Sequence, residues 1–255
     1  TRVGGWQPPF SANCTDLVKV GDLLYLACGE AGMVCLDVST PSNPTFLYRF
    51  TLPEGPAVSC AHLDNTLYVG AGNEVYIYDL TDPRTPVRRG SLGAGSATPV
   101  VRVYVDGRRV YCLYASGRLV ASNAAGGAFS PVFLAAWSGP ANATDLVVQN
   151  GIAYCTYNGA GLRIVSLRDP TAPELLWSDG GSPALGVAVR GTSLACIYAN
   201  RRYRTCSVAN PRSPVFLTDS DAGATPTLVS ITRRGFAWCG YGRRASLLDI
   251  PPYVV

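Results

Sequence analysis

Histidine, lysine and methionine are nearly absent from this sequence. It contains one histidine, His62, and one methionine, and Lys19 is the single lysine among 21 basic residues. A histidine-rich metal site is therefore excluded, and a Ser-His-Asp triad would have to use His62, which no nucleophile motif accompanies. No phosphate-binding loop or dinucleotide fingerprint is found. We expect no catalytic residue, no metal and no cofactor.

Charge and long apolar runs are scarce as well. Charged residues make up 15% of the chain, the net charge is +4, and no apolar run reaches the roughly 18 residues that a membrane helix needs. We therefore expect no membrane insertion. Apolar residues make up 47%, which is too many for a disordered chain. A chain of 255 residues suits one large all-β domain or two small ones.

A repeat of about 42 residues organises the whole chain. The third strand of each repeat is expected to close at Asp37, Asp79, Ser122, Ser166, Ser207 and Asp249, in steps of 42, 43, 44, 41 and 42 residues. Short alternating segments such as "DLVKV", "LLYLAC" and "MVCLDV" predict four strands per repeat. This spacing is typical of the blades of a β-propeller.

A Pro-x-x-Pro segment follows the third strand in four of the repeats. Because it recurs at the same place, we interpret it as a turn rather than as a ligand for a peptide-binding domain. Asp37 and Asp79 precede two of these segments and are expected to accept hydrogen bonds from turn N–H groups. The Pro pairs lie at 41 and 44, 83 and 86, 170 and 173, and 211 and 214.

The last repeat stops after its third strand, and the N-terminal segment resembles the missing fourth strand. Trp6 lies near the place that Trp137 occupies before the fourth repeat. We therefore predict an all-β fold: a single domain, 1–255, forming a six-bladed β-propeller of four-stranded blades, closed when the N-terminal segment supplies the outer strand of the last blade. The predicted blades are residues 14–55, 56–96, 97–140, 141–181, 182–224, and 225–255 with 1–13.

Four sequence features resemble the LVIVD-repeat family of β-propellers. They are the "A-x-D-L" start of the inner strand, the aromatic "LYLA" strand, the "GL-x-I-V-x-L" strand and the "D-V-S-x-P-x-x-P" turn. The resemblance covers essentially the whole chain, although the third blade, "ASNAAGGAFSP", has lost the Asp and the first Pro. It implies a scaffold or binding role, mostly in surface or secreted proteins, and no shared catalytic activity.

Nine cysteines are present, so at least one is free or pairs with another molecule. Four recur in a Cys-x-Tyr pattern whose two side chains face the same side of a strand, so we interpret them as core residues. Cys60 and Cys206 are also assigned to the core. A bridge between Cys28 and Cys35 is left open, and Cys14 is expected to carry an exposed thiol. The four patterned cysteines are Cys112, Cys155, Cys196 and Cys239.

Asp16 and Asp145 each begin an inner strand, near one mouth of the expected channel. Two acids facing each other across the channel could bind a cation, but two ligands are too few for a calcium site without help. The alternative is that each caps the turn where its strand starts.

Arginines cluster on the second hairpins of the fifth and sixth blades. They predict a basic patch that could contact acidic glycans, a protein or nucleic acid, although a solvated rim explains them as well. Nucleic acid is disfavoured because lysines are few and no aromatic residues interleave the turns. The patch residues are Arg201, Arg202, Arg204, Arg243 and Arg244.

Two Asn-x-Thr sequons lie in closely similar stretches, "SANCTDLV" and "PANATDLV". Both place the Asn, Asn13 or Asn142, in a loop before an inner strand, where a glycan acceptor would be exposed.

These features favour a non-catalytic scaffold that contacts protein or glycan, as a cell-surface or secreted glycoprotein and a possible homo-oligomer or subunit of a repeating extracellular assembly. One alternative is an intracellular assembly subunit with free thiols in a reducing compartment. Another is a propeller enzyme or lectin acting at the channel mouth, although a fold alone does not confer activity.

Overall fold

The computed structural model of the protein describes residues 4–10, 13–93, 96–124, 129–231, 237–241 and 244–248. All regular secondary structure in these ranges is β-strand, and the strands pair antiparallel within sheets; no helix occurs in them. The predicted all-β class is therefore confirmed for the described part of the chain.

The chain forms two compact units. The first comprises Thr1–Tyr114 with Val120–Leu134, and the second comprises Ala115–Leu119 with Ala135–Val255. The predicted single domain therefore stays a prediction.

Two four-stranded sheets lie wholly in the first unit, and each follows the order of the chain. The first contains β1 (Asp16–Val20), β2 (Leu23–Ala27), β3 (Met33–Asp37) and β4 (Thr45–Phe50). The second contains β5 (Ala57–Leu63), β6 (Thr66–Ala71), β7 (Glu74–Asp79) and β8 (Val87–Gly93). The third four-stranded sheet contains β9 (Val100–Asp106), β10 (Arg109–Tyr114), β11 (Arg118–Asn123) and β12 (Val132–Ser138).

The remaining sheets belong to the second unit. The fourth contains β13 (Ala143–Gln149), β14 (Ile152–Tyr157), β15 (Gly161–Ser166) and β16 (Glu174–Ser178). The fifth contains β17 (Ala184–Arg190), β18 (Ser193–Tyr198), β19 (Arg202–Ser207) and β20 (Val215–Asp221). A three-stranded sheet contains β21 (Leu228–Ile231), β22 (Ala237–Tyr241) and β23 (Arg244–Leu248).

Five four-stranded sheets in chain order are consistent with propeller blades. The described part of the N-terminal segment, residues 4–10, is not assigned to a strand, so the predicted fourth strand of the last blade is not confirmed. The burial of this segment nevertheless alternates: its even-numbered residues are half-buried and its odd-numbered residues are exposed. This is the pattern of an extended chain with one face against a core.

The residues at the inner hairpin turns suit the backbone conformation that these turns adopt. The inner hairpin of each four-stranded sheet contains a left-handed residue, and these residues are Gly21, Asp64, Gly107, Asn150 and Gly191. Glycine, Asn and Asp adopt this conformation at the lowest steric cost.

At the Pro-x-x-Pro turns, the N–H groups of Ser39 and Thr81 donate to the carboxylates of Asp37 and Asp79 at 2.9 and 2.8 Å. This confirms the structural role predicted for both acids.

Two β-bulges recur, and the sequence did not reveal them. One extra residue lies near the start of the inner strand in the second to fifth sheets: Val58, Val101, Thr144 and Leu185. A second lies in the outer strand of the first, second, fourth and fifth sheets: Leu47, Arg89, Leu176 and Leu217. A bulge bends its strand and redirects side chains, and on an outer strand it discourages pairing with other chains.

The cores lie between neighbouring sheets within each unit. In the first unit Tyr25 and Met33 of the first sheet pack with Leu67 and Tyr76 of the second, all nearly fully buried. In the second unit Ile164 of the fourth sheet packs in the same cluster as residues of the fifth. Burial of this apolar surface is the main force that holds adjacent sheets together.

Candidate functional site

The "TDL" stretch at the start of β1 connects the first sheet to the second. The Thr15 hydroxyl donates to the Val58 carbonyl at 2.8 Å. The Asp16 carboxylate accepts from the Ser59 hydroxyl at 2.6 Å and from the Cys60 N–H at 3.0 Å. Thr15 and Asp16 thus bond to the inner strand of the next sheet.

The second "TDL" stretch, in β13, makes the same connection between the fourth and fifth sheets. The Thr144 hydroxyl donates to the Ala184 carbonyl at 2.9 Å, and the Asp145 carboxylate accepts from the Val187 N–H at 3.1 Å. Thr144 is the extra residue of a bulge. Because a bulge changes the direction of neighbouring side chains, Thr144 and Asp145 can both reach the same adjacent strand.

The two acids expected near the channel mouth are therefore engaged in backbone and side-chain contacts. Each also accepts a hydrogen bond from the N–H of the next residue, Leu17 or Leu146, at 2.9 Å, which agrees with the alternative of a capped strand start. Asp16 forms an ion pair with Arg102 at 3.1 Å as well. Asp16 and Asp145 lie in different units. Within the described residues, no group of three potential metal ligands is found.

Both sequon asparagines are exposed, but the structure explains them unequally. Asn142 is left-handed, with φ of 62°, a conformation that Asn tolerates better than most residues. Its N–H donates to the Ala115 carbonyl at 2.8 Å. The sequon threonines, Thr15 and Thr144, are the hydroxyl donors of the "TDL" contacts. No hydrogen bond of the Asn13 side chain is found among the described residues, so the identity of Asn13 has no comparable structural reason.

The three patch arginines of the fifth sheet are paired with acids of the same sheet. Arg201 contacts Asp221 at 3.0 Å, while Asp219 accepts from Arg202 at 2.6 Å and from Arg204 at 3.1 Å. In the fifth sheet the patch is thus a network of both charges rather than a cluster of free cations. Arg243 lies outside the described residues, and Arg244 is described only as the first residue of β23.

The network holds its charges in the ionised state. Partial burial would raise the pKa of Asp219, but hydrogen bonds from Arg202 and Arg204 outweigh this effect and keep that pKa below its ordinary value. The pKa of Arg204 is raised, because interactions with Tyr198 and Asp219 outweigh its desolvation. Asp219 is therefore a carboxylate, and Arg204 a guanidinium, at neutral pH.

A cleft of about 340 Å³ lies beside this network in the second unit. Its lining residues come from the outer strands of the fourth and fifth sheets, the loop after β16, and β19: Trp177, Ser178, Asp179, Arg204, Phe216 and Asp219. The rings of Trp177 and Phe216 lie 5.8 Å apart, and the Arg204 guanidinium lies 5.9 Å from the Phe216 ring. The cleft therefore combines aromatic surface with fixed donors and acceptors.

Residues 13–51 match the family model described as "LVIVD repeat". The matched segment begins at Asn13 and includes the first "TDL" stretch. This chain carries an LVIVD repeat. Such repeats are found in β-propeller-type repeat proteins, so the resemblance predicted from the sequence is confirmed for the first sheet. The LVIVD match ends soon after β4, and the later sheets reproduce its strand order.

Solved structures resemble the fold over most of the chain. The computationally designed protein Ika8 is 13% identical with a TM-score of 0.74, over 93% of this chain and 71% of that one. A chain of the Mitotic Checkpoint Complex is 11% identical with a TM-score of 0.73, over 90% and 72%. Sqt1 of Saccharomyces cerevisiae is 10% identical with a TM-score of 0.72, over 90% and 69%. At these identities the similarity concerns the fold alone.

No curated protein sequence matches the chain. In the described residues, no helix has the length and apolar character required to cross a membrane.

The LVIVD repeat contains three cysteines, and their pairing differs from expectation. Cys14 forms a disulfide with Cys28, so the prediction of an exposed Cys14 thiol is wrong, and the Cys28–Cys35 bridge that was left open does not form. The register explains the difference. In the β1–β2 hairpin Asp16 lies opposite Ala27, which brings the preceding residues close to Cys28, whereas Cys35 lies opposite Tyr25. Counting outward from the Gly21 turn would have revealed this proximity.

The remaining described cysteines are free and buried, and this confirms the core assignment that was predicted for Cys60, Cys112, Cys155, Cys196 and Cys206. Burial raises the pKa of the thiols of Cys112, Cys155 and Cys206 to about 12. These thiols are therefore protonated at neutral pH and are poor nucleophiles. The side chain of Cys239 lies outside the described residues.

Proposed function

We propose that the chain is a non-catalytic binding scaffold, a six-bladed β-propeller that contacts protein or glycan. One observation carries this proposal: in both "TDL" stretches the threonine hydroxyl and the aspartate carboxylate form hydrogen bonds to the neighbouring sheet. Groups committed in this way hold neighbouring sheets in register. This argues against the alternative of an enzyme that uses Asp16 and Asp145.

Two matching aromatic contacts support closure of the propeller by the N-terminal segment. In the second unit, Trp177 of β16 packs on Phe216 of the following outer strand, with ring centroids 5.8 Å apart. In the first unit, Trp6 stacks on Phe46 of β4 at 6.2 Å. Trp6 therefore has the relation to the first sheet that an outer strand has to the sheet after it. On this proposal, residues 4–10 occupy the outer-strand position of the sixth blade.

The Cys14–Cys28 disulfide supports an extracellular or cell-surface location, because such bonds persist mainly in oxidising compartments. The exposed Asn13, whose identity the fold does not require, supports a glycoprotein. One observation favours the intracellular alternative: six described cysteines are free thiols. Because these thiols are buried, they are compatible with either compartment, and the disulfide is the observation that supports the extracellular proposal.

The outer strands supply the surface for partners on this proposal. They carry exposed apolar side chains that the cores do not use, namely Phe46, Val87, Val132, Phe133, Leu175, Val215 and Phe216. Each four-stranded sheet contributes at least one of these exposed apolar residues to its outer strand, and a surface of this kind can contact a partner. Homo-oligomerisation or a repeating assembly would cover these residues.

The test uses protein isolated from its native source. Light scattering after size separation should give a mass well above 26.9 kDa, and peptide mass spectrometry should find a glycan on Asn13. Material that stays monomeric, with unmodified Asn13 and Asn142, would contradict the extracellular assembly. A turnover that disappears when Asp16 and Asp145 are both replaced by Ala would favour the enzyme instead.

A further inference from the structure

The cleft between β16 and β20 has an aromatic side, made of two rings inclined at 53° to each other, and a polar side. Trp177 and Phe216 form the aromatic side, and 48% of the Phe216 surface is exposed. Arg204 and Asp219 form the polar side, with 24% and 39% of their side-chain surfaces exposed. A ligand in the cleft could therefore reach aromatic faces and charged hydrogen-bonding groups together.

The floor of the cleft is rigid. The Asp179 side chain is 1% exposed, and its carboxylate accepts from the Leu162 N–H at 3.0 Å and from the Tyr198 hydroxyl at 2.7 Å. Arg204 packs over the Tyr198 ring at 4.9 Å, which fixes the position of its guanidinium. Fixed groups lose little conformational entropy when a ligand binds, so the cleft is preorganised.

The charges at the cleft balance one another. Two carboxylates, Asp179 and Asp219, face two guanidinium groups, Arg202 and Arg204. A charged ligand would have to break an existing ion pair or place its charge beside a like charge, and both cost free energy. A neutral ligand neither breaks an ion pair nor adds a charge beside a like charge. It can still bond to the lone pairs of Asp219 and the N–H groups of Arg204 that these ion pairs leave unused.

We propose that this cleft binds a neutral hexopyranose residue of a glycan. A hexopyranose presents a patch of C–H bonds on one face, which can lie against Trp177 or Phe216, and a rim of hydroxyl groups that both donate and accept. The volume of about 340 Å³ is near the lower end of the roughly 300–1,000 Å³ of ligand pockets, which suits one sugar residue. This inference rests on the proposed function, since it names one glycan-binding surface of that scaffold.

The binding test uses saturation-transfer NMR with the methyl glycosides of glucose, galactose, mannose and N-acetylglucosamine. Methyl glucuronide and lysine amide serve as the anionic and cationic probes. At least one neutral glycoside should receive saturation and give a measurable Kd. The two charged probes should bind at least about tenfold more weakly, as the balanced charges require.

Variants locate the site. Trp177→Ala should weaken binding by about tenfold or more, and Trp177→Phe should weaken it less, because it keeps a smaller aromatic face. Leu228→Ala is the control, since Leu228 is an exposed apolar residue of the second unit that neither lines the cleft nor belongs to the proposed partner surface. It should leave the Kd unchanged. Thermal unfolding of each variant shows that it is folded, and Trp177→Phe provides the test if Trp177→Ala does not fold.

Three outcomes overturn the inference: no neutral glycoside binds, a charged probe binds most tightly, or both Trp177 variants bind as the unsubstituted protein does. These outcomes leave the scaffold proposal intact, because that proposal is tested by the mass of the native protein and by glycosylation of Asn13. If the native protein is assembled but no glycoside binds, the chain is still a scaffold and this cleft is not a sugar-binding site.

Discussion

The carboxylate of Asp145 accepts a hydrogen bond from the backbone N–H of Val187, 42 residues along the chain, at 3.1 Å. Val187 is 3% exposed, so without this acceptor its N–H would be buried and unsatisfied. Asp145→Ala should therefore lower the free energy of unfolding by about 1–3 kcal/mol, measured by urea denaturation.

Asp22 provides the control for this prediction, because it is an exposed acid at a hairpin turn. Asp22→Ala should change the free energy of unfolding by less than about 0.5 kcal/mol. Equal stability of the two variants would show that the Asp145 contact does not hold the fourth and fifth sheets together.

The disulfide between Cys14 and Cys28 closes a short loop of the first sheet. Replacing both cysteines by Ser should lower stability by about 3 kcal/mol, since the unfolded chain loses a constraint on a loop of about 15 residues. A reducing agent should destabilise the unsubstituted protein to a similar extent and leave the double variant unaffected. Alkylation of unfolded protein should modify Cys14 only after reduction, and modification without reductant would contradict the bridge.

Protonation of Asp79 should lower the free energy of unfolding at acid pH. Hydrogen bonds from Thr81 and Arg89 hold its pKa at about 2, below the value near 3.9 of an unfolded Asp. A depressed pKa stabilises the fold above the unfolded value, and this stability is lost as the pH falls through the folded value. The free energy of unfolding should thus fall between about pH 4 and pH 2, and fall less in Asp79→Asn. Identical acid profiles would exclude this contribution.

Arg201 and the two arginines of β19, Arg202 and Arg204, should bind polyanions weakly while their acidic partners remain. The unsubstituted protein should elute early from a heparin column. Asp219→Asn with Asp221→Asn should elute at higher salt, because Arg201, Arg202 and Arg204 lose their ion pairs. The control with the same net charge combines Asp22→Asn with Glu30→Gln, both exposed. If the two double variants elute together, charge pairing does not govern the surface.

Sequence patterns predicted the strands, the hairpin turns and the buried cysteines, because these depend on local periodicity and on residues such as Gly21 and Asn150 that tolerate left-handed backbone. They did not predict which acids meet which arginines. Arg204 lies opposite Asp219 in a register that includes the bulge at Leu217, and the sequence gives no sign of that bulge. The patch consequently resembled a basic surface until the acids of β20 were placed beside it.

The "TDL" stretches illustrate the same limit. The repeat made their recurrence visible, but their partners, Ser59 and Val187, lie more than 40 residues away on another sheet. A contact across that separation depends on how neighbouring sheets pack, which no local pattern encodes. The sequence therefore placed Asp16 and Asp145 only at the start of their strands, and the structure adds that both bond to the neighbouring sheet.

A density map of protein purified from its native source tests the scaffold most directly. We expect a neighbouring protein chain or a glycan against the outer strands, with Asp16 and Asp145 still bonded to the adjacent inner strands. A solitary chain with a metal ion or a small-molecule substrate held by Asp16 and Asp145 would contradict it.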